Sequence, residues 1–330
     1  MEGNGRRAEE AFARATECMG VISEFQYPTH WYSKLLAALL ALAFFWSAAT
    51  LAISGFVLFH IVAPVATRSD IDLATFPGHP EDITYQVRGE GSRDGWFFPG
   101  REGAPTVVLC NGYQRSRSDL LTLASALQDH EYNVFLFDFS AQGTNSGHSL
   151  LGYQEAAELH AVIDALAQRT DVDRARFGVW GTNVGAYAAM VEAESDPRVA
   201  AFAVESVYDQ PDQELDLLVS RSGVGAMPLV AHATRWDFDW LARDYRGAPP
   251  LSAGVGRLVG VPKLYLEAED EPDLAATTHQ LFAISPDPTE EAVLDRGNYA
   301  NMLDEEKHSY ENRIVSFFLS NLPPASRARR

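Results

Sequence analysis

The sequence predicts an α/β domain, with a mainly parallel sheet covered by helices on both faces, preceded by one N-terminal transmembrane helix. Short apolar runs alternate with helical stretches from residue 81 to about 320, the pattern of a parallel sheet buried on both sides. Within them, Arg176-Phe177-Gly178-Val179-Trp180 leads through Gly181-Thr182-Asn183-Val184-Gly185 into the good helix formers Ala186 to Ala193. That segment reads as buried strand, sharp turn and helix. Ahead of it all, Leu35 to Val62 is a run of 28 residues without Asp, Glu, Lys or Arg, whereas a bilayer core needs only about 20.

In chain order, residues 1–34 form a leader in which Ala8 to Ile22 has the makings of an amphipathic helix. Residues 35–62 then form the membrane span, too long for the apolar region of a cleaved signal peptide, about 7–15 residues. Trp31 and Tyr32 open it as interfacial aromatics, while His60 and Pro64 mark its far end. Arg6, Arg7, Arg14 and Lys34 precede the span, against Arg68 alone in the 25 residues after it. This bias predicts a cytoplasmic N-terminus and an extracytoplasmic domain on the periplasmic side. After a linker over 63–80, the domain occupies 81–322 and a basic tail 323–330. Its opening strands are Glu81 to Arg88 and Trp96 to Phe98, followed by a strand over Pro105 to Cys110 and a helix over Ser118 to Gln128. A strand at Asn133 to Asp138 and an amphipathic helix from Tyr153 to Gln168 precede the strand–turn–helix. Later strands lie at Pro262 to Ala268 and from Ala292, and the terminal helix runs to Leu319 from Asp304, where acidic residues suit the helix dipole.

Charge and cysteine content exclude several functions. The chain has 26 basic and 45 acidic residues, and 22 and 40 of these follow residue 62, a net of −18 for that part. Such a domain repels nucleic acid and anionic headgroups, so no nucleic-acid partner is expected. Cys18 and Cys110 fall on opposite sides of the predicted span and cannot form a disulfide framework. No His/Cys cluster has metal-ligand spacing, and the only glycine-rich match, Gly3-Asn4-Gly5-Arg6-Arg7-Ala8, does not follow a strand. No metal or cofactor is therefore expected, and the sequence identifies no small-molecule ligand.

Between residues 80 and 320 the chain resembles the α/β-hydrolase superfamily, in its serine esterase and peptidase-like branch. The frame Gly181-Thr182-Asn183-Val184-Gly185 is similar to the family's G-x-S-x-G turn, with Asn183 in the place of the nucleophilic serine. Asn111-Gly112-Tyr113 resembles the His-Gly segment of the oxyanion hole, so the resemblance places Asn111, Gly112, Tyr113 and Val184 at oxyanion-loop positions. Phe139 to Gly147 is similar to the D-x-R-x-x-G-x-S turn, with Ser140 for arginine. The family's variable cap corresponds to about residues 205–260, where Trp236-Asp237-Phe238-Asp239-Trp240 is expected to pack against the sheet's edge. Glu269-Asp270-Glu271-Pro272 resembles the turn that carries the catalytic acid, which implies Glu271. For the histidine, Gly297-Asn298-Tyr299-Ala300-Asn301-Met302 resembles a G-x-H-x-N-L turn and puts Tyr299 in its place; His308 is the second register.

Asparagine has no ionisable group to activate for attack, and a tyrosine with a reference pKa near 10 is a poor base at neutral pH. What asparagine does preserve is backbone shape, because it tolerates positive φ. The resemblance therefore implies a bacterial, membrane-anchored scaffold with a degenerate triad, acting as an accessory or binding subunit of a membrane complex. A second reading keeps an active ester or peptide hydrolase that uses His308 with Glu271 and an unidentified nucleophile, Thr182 and Ser206 being candidates. A third has Asn183 replacing an aspartate nucleophile, as in dehalogenase-like relatives.

Overall fold

The computed structural model describes residues 30–64, 78, 80–143 and 145–324. The sequence expectations for Ala8 to Ile22, for Arg6, Arg7, Arg14, Cys18 and Arg68, and for the Arg-rich tail lie outside the described residues.

Helix α1 (Trp31–Val62) precedes an eight-stranded sheet built from β1 (Glu81–Val87), β2 (Gly91–Phe98), β3 (Ala104–Cys110), β4 (Asn133–Phe137), β5 (Val172–Thr182), β6 (Val199–Glu205), β7 (Lys263–Ala268) and β8 (Thr289–Leu294). The strand order is β1-β2-β4-β3-β5-β6-β7-β8. The β1–β2 and β2–β4 pairs are antiparallel and every other pair is parallel. Strands β3 and β4 are fully buried and apolar apart from Thr106 and Asn133, as expected where both faces are covered.

Helices α2 (Leu121–Asp129), α3 (Tyr153–Leu166), α4 (Val184–Ser195), α5 (Pro211–Arg221), α6 (Pro228–Leu241), α7 (Pro272–Ile284) and α8 (Asp304–Asn321) complete the fold. One core layer joins Leu159, Ile163, Met190 and Leu281 of α3, α4 and α7 to Val108, Val179 and Phe202 of the sheet. The opposite layer joins Leu123, Leu127, Ile314 and Phe318 of α2 and α8 to Leu109, Leu136 and Trp180. Alternation of side chains along each strand sends successive residues into these two layers. The doubly covered, mainly parallel sheet expected from the sequence is thus the one observed.

Two expectations change. Helix α1 begins at Trp31 and is not a bare anchor to its end: Ser54, Val57, Leu58, Ile61 and Val62 are buried. They form a third apolar cluster with Leu215 and Val219 of α5 and Phe238 of α6. Two loop contacts fix its last turn, Tyr113 Oη donating to Ile61 O at 2.7 Å and Ser149 N to Val62 O at 2.7 Å. The aromatic segment of the cap also packs differently from expectation. Phe238 is buried against α1 rather than the sheet's edge, while Trp236 and Trp240 are 60% and 59% exposed.

Candidate functional site

The turn between β5 and α4 is built by two close backbone approaches. A Cβ on Gly181 would lie 2.4 Å from Gly185 O, and one on Gly185 would lie 2.4 Å from Cys110 O. Only residues without a side chain let β5, β3 and α4 meet there. The residue at the tip, Asn183, adopts φ 50° and ψ −113°, a sparsely populated conformation that costs on the order of 1–3 kcal/mol and that the surroundings must impose. Its N–H donates to Glu205 O at 3.0 Å, and its carbonyl accepts from Tyr187 N at 3.0 Å.

Asn183 faces a cleft of about 140 Å³ at the carboxyl ends of the parallel strands, the usual ligand position in an α/β sheet. Gly112, Tyr113 and Arg115 line it from the loop after β3, Thr182 and Asn183 from the elbow, and Glu271 and Asn298 from the loops after β7 and β8. Helix α5 closes it with Glu214, Leu218 and Arg221. Asn183 and Glu214 line the same cleft. Asn183 Oδ1 and Glu214 Oε2 are buried with no hydrogen-bond partner among the described residues. Burial, and then the charge of Glu271, pushes the Glu214 carboxyl up to about 7, against the opposing pull of Asn183 and Arg221.

The loop after β8 decides what faces Asn183. Its backbone is held by two carboxyl groups, one at the end of β6 and one in the turn after β7: Asn298 N donates to Glu205 Oε1 at 2.6 Å, and Gly297 N to Asp270 Oδ1 at 2.7 Å. Asn298 is consequently left-handed, at φ 64°, and it is the residue that lines the cleft. Tyr299 is turned away from the cleft into the layer under α8. There its hydroxyl meets Thr122 Oγ1 at 2.7 Å and Glu311 Oε1 at 2.5 Å, and its ring packs edge-on to Trp180. Burial and Glu311 hold that hydroxyl far above its ordinary range. The placement of Tyr299 opposite Asn183 is thereby corrected by one residue, because the left-handed Asn298 reverses which side chain points inward. His308 stands on α8 with its side chain 80% exposed, 3.7 Å from Glu311 Oε2, outside the cleft. No histidine lines the cleft among the described residues.

The remaining expected positions divide. Glu271, immediately before α7, lies in the cleft, and so do Gly112 and Tyr113. Val184 opens α4, and its backbone N–H is among those that a helix start leaves unpaired. Asn111 is buried and directed toward β4, its Nδ2 donating to Phe137 O at 3.2 Å, so its side chain does not line the cleft. Of the alternative nucleophiles, Thr182 lines the cleft and Ser206 does not; Ser206 Oγ is buried without a partner among the described residues. Glu205 is wholly buried and accepts a 2.5 Å bond from Tyr310 Oη. Burial and the charges of Glu271 and Asp270 push it up to about 7.

Asn298, Glu205, Glu214, Arg115 and Arg221 were not anticipated. Asn298 had a local signal, since asparagine after glycine favours a left-handed turn; the others reach the site only through tertiary packing. The assembled cleft presents two amides, two carboxyls and two guanidinium groups. It offers hydrogen bonds and charge to a small polar group, and no activated nucleophile at the elbow tip.

No family model matches the chain. Among solved structures, an esterase of Pyrococcus furiosus superposes with a TM-score of 0.61 at 16% identity, covering 78% of this chain and 99% of that one. An α/β hydrolase of Penicillium sp. sh18 gives a TM-score of 0.56 at 17% identity over 74% and 99% of the two chains. Among curated sequences, an uncharacterized protein of Mycobacterium tuberculosis is 34% identical over 122 residues, 36% of this chain and 43% of that protein. The match thus spans less than half of that relative's length. The chain has the α/β-hydrolase fold.

Proposed function

From this α/β-hydrolase fold we propose a membrane-anchored protein that does not hydrolyse substrates and acts as a binding or accessory subunit of a membrane complex. One observation carries the reading. The elbow tip is an asparagine in a cleft that has no histidine among the described residues, so neither a nucleophile nor its base stands where acyl transfer needs them. The strained backbone of Asn183 favours a site kept for binding over a relic, because strain of this kind persists only where its surroundings impose it. The polar groups around the cleft fit a small, charged or hydrogen-bonding ligand group. Full-length protein treated with a fluorophosphonate probe should remain unlabelled beside a heat-denatured control; stoichiometric labelling of Thr182 or any serine would restore the reading of an active ester or peptide hydrolase.

Helix α1 is long and apolar enough to span a membrane. The basic residues before it, Lys34 among them, favour a cytoplasmic N-terminus and a domain on the extracytoplasmic side. Protease added to spheroplasts with an intact cytoplasmic membrane should then degrade the domain. Protection until the membrane is opened would reverse the assignment.

A further inference from the structure

The 32 residues of α1 rise about 48 Å, and a bilayer core of about 30 Å takes only about 20 of them. Measured from the interfacial pair Trp31 and Tyr32, the core is therefore crossed by about Thr50 to Ser54. That is where one face of α1 starts to be covered by the cap: Thr50 is partly covered, and Ser54, Val57 and Leu58 are buried, while Phe56 and Phe59 on the other face stay 65% and 57% exposed. The Ser54 hydroxyl donates to Asp237 of α6, which fixes the height of that cap helix at the far side of the bilayer.

Helix α6 has two apolar faces. Val230, Thr234 and Phe238 point inward and are buried. Leu229, Trp236 and Trp240, spaced seven and four residues apart, share the opposite face and are 77%, 60% and 59% exposed. The Arg243 guanidinium lies 5.1 Å from the centre of the Trp240 ring. Exposed tryptophans with an adjoining cation, flanking the residue bonded to Ser54, match the composition and the height of a bilayer interface, where aromatic side chains concentrate.

We propose that the Leu229, Trp236 and Trp240 face of α6 is seated in the bilayer interface beside α1. It supplies the aromatic belt on the domain side and rests the cap, and the cleft closed by α5, on the membrane surface. The occupant of this face is zwitterionic lipid, because the face is continuous with the membrane-spanning helix and the acidic domain disfavours anionic headgroups. The proposal rests on α1 spanning the membrane.

Full-length protein carrying Cys18→Ser and either Leu229→Cys or Trp236→Cys is labelled with NBD and placed in phosphatidylcholine nanodiscs; the native Cys110 is buried. Exposed Glu102, beside the amino-terminal end of β3, serves as the control in Glu102→Cys. Labels at 229 and 236 should emit to the blue of the control and lose roughly twofold in intensity with shallow doxyl-labelled phosphatidylcholine, as interfacial side chains do. Emission equal to the control, without quenching, in protein that still co-purifies with nanodiscs overturns the proposal alone. A blue shift that follows protein concentration and ignores doxyl lipid overturns it by assigning the face to a protein partner. Failure to enter nanodiscs overturns the anchor and this proposal together.

Discussion

Raising the pH from 5.5 to 8 should lower the thermal unfolding midpoint of the domain by on the order of 10 °C, given about 2–4 °C per kcal/mol for a domain of this size. Burial pushes the carboxyls of Glu155, Glu205 and Glu214 up to about 7 each, above an ordinary value of 4.5. Neighbouring Glu158 adds to the effect at Glu155, which accepts from Ser149 Oγ at 2.5 Å and Gly152 N at 2.8 Å. A raised carboxyl binds its proton more tightly in the folded state. Its stabilisation is complete below pH 4.5 and is lost as the pH climbs toward and through 7. Between pH 5.5 and 8 each group forfeits at most about 2 kcal/mol, less where water reaches it on relaxation. Asp171 acts in the opposite sense, since its hydrogen bond to Arg169 holds it below the usual carboxylate range; its stabilisation is lost only in stronger acid, so it leaves this window unaffected. Scanning calorimetry of the detergent-solubilised protein checks the direction, and Glu205→Gln should make the fall smaller without abolishing it, since Glu192 and Glu194 are also pushed up to about 7. A midpoint that rises between pH 5.5 and 8 would show that these acids are ionised in the folded protein.

Gly185→Ala is the substitution expected to damage the elbow most, by about 3 kcal/mol. The added Cβ would meet Cys110 O at 2.4 Å and Asn111 O at 2.7 Å, both backbone atoms of β3 and its loop. No side chain can swing aside to accommodate it, so α4 must lift off the sheet and carry Asn183 with it. Gly256→Ala provides the comparison, because a Cβ there meets nothing within 4 Å; its midpoint in urea should stay within about 0.5 kcal/mol of the parent. Equal effects at the two positions would refute the claim that close backbone packing shapes the elbow.

Local chemistry alone determined much of this protein. The strand, elbow and helix around Asn183 were legible because period, glycine spacing and helix propensity act over a dozen neighbouring residues. The apolar helix was legible for a similar reason, since an uncharged stretch of that length has few other uses. That the elbow tip is an asparagine needed nothing beyond the residue's identity.

Tertiary structure decided the rest, through contacts distant in sequence. Whether Tyr299 or Asn298 enters the cleft depends on Glu205 and Asp270, which lie 93 and 27 residues from the amides they bind. Glu214 joins the site only because the cap folds back over it, and no spacing rule connects α5 to the elbow. The last turns of α1 carry the same apolar code as the rest of that helix, yet only they are packed on one face against α5 and α6. Hydrophobic periodicity reports that a surface must be covered, while the assembled fold determines what covers it.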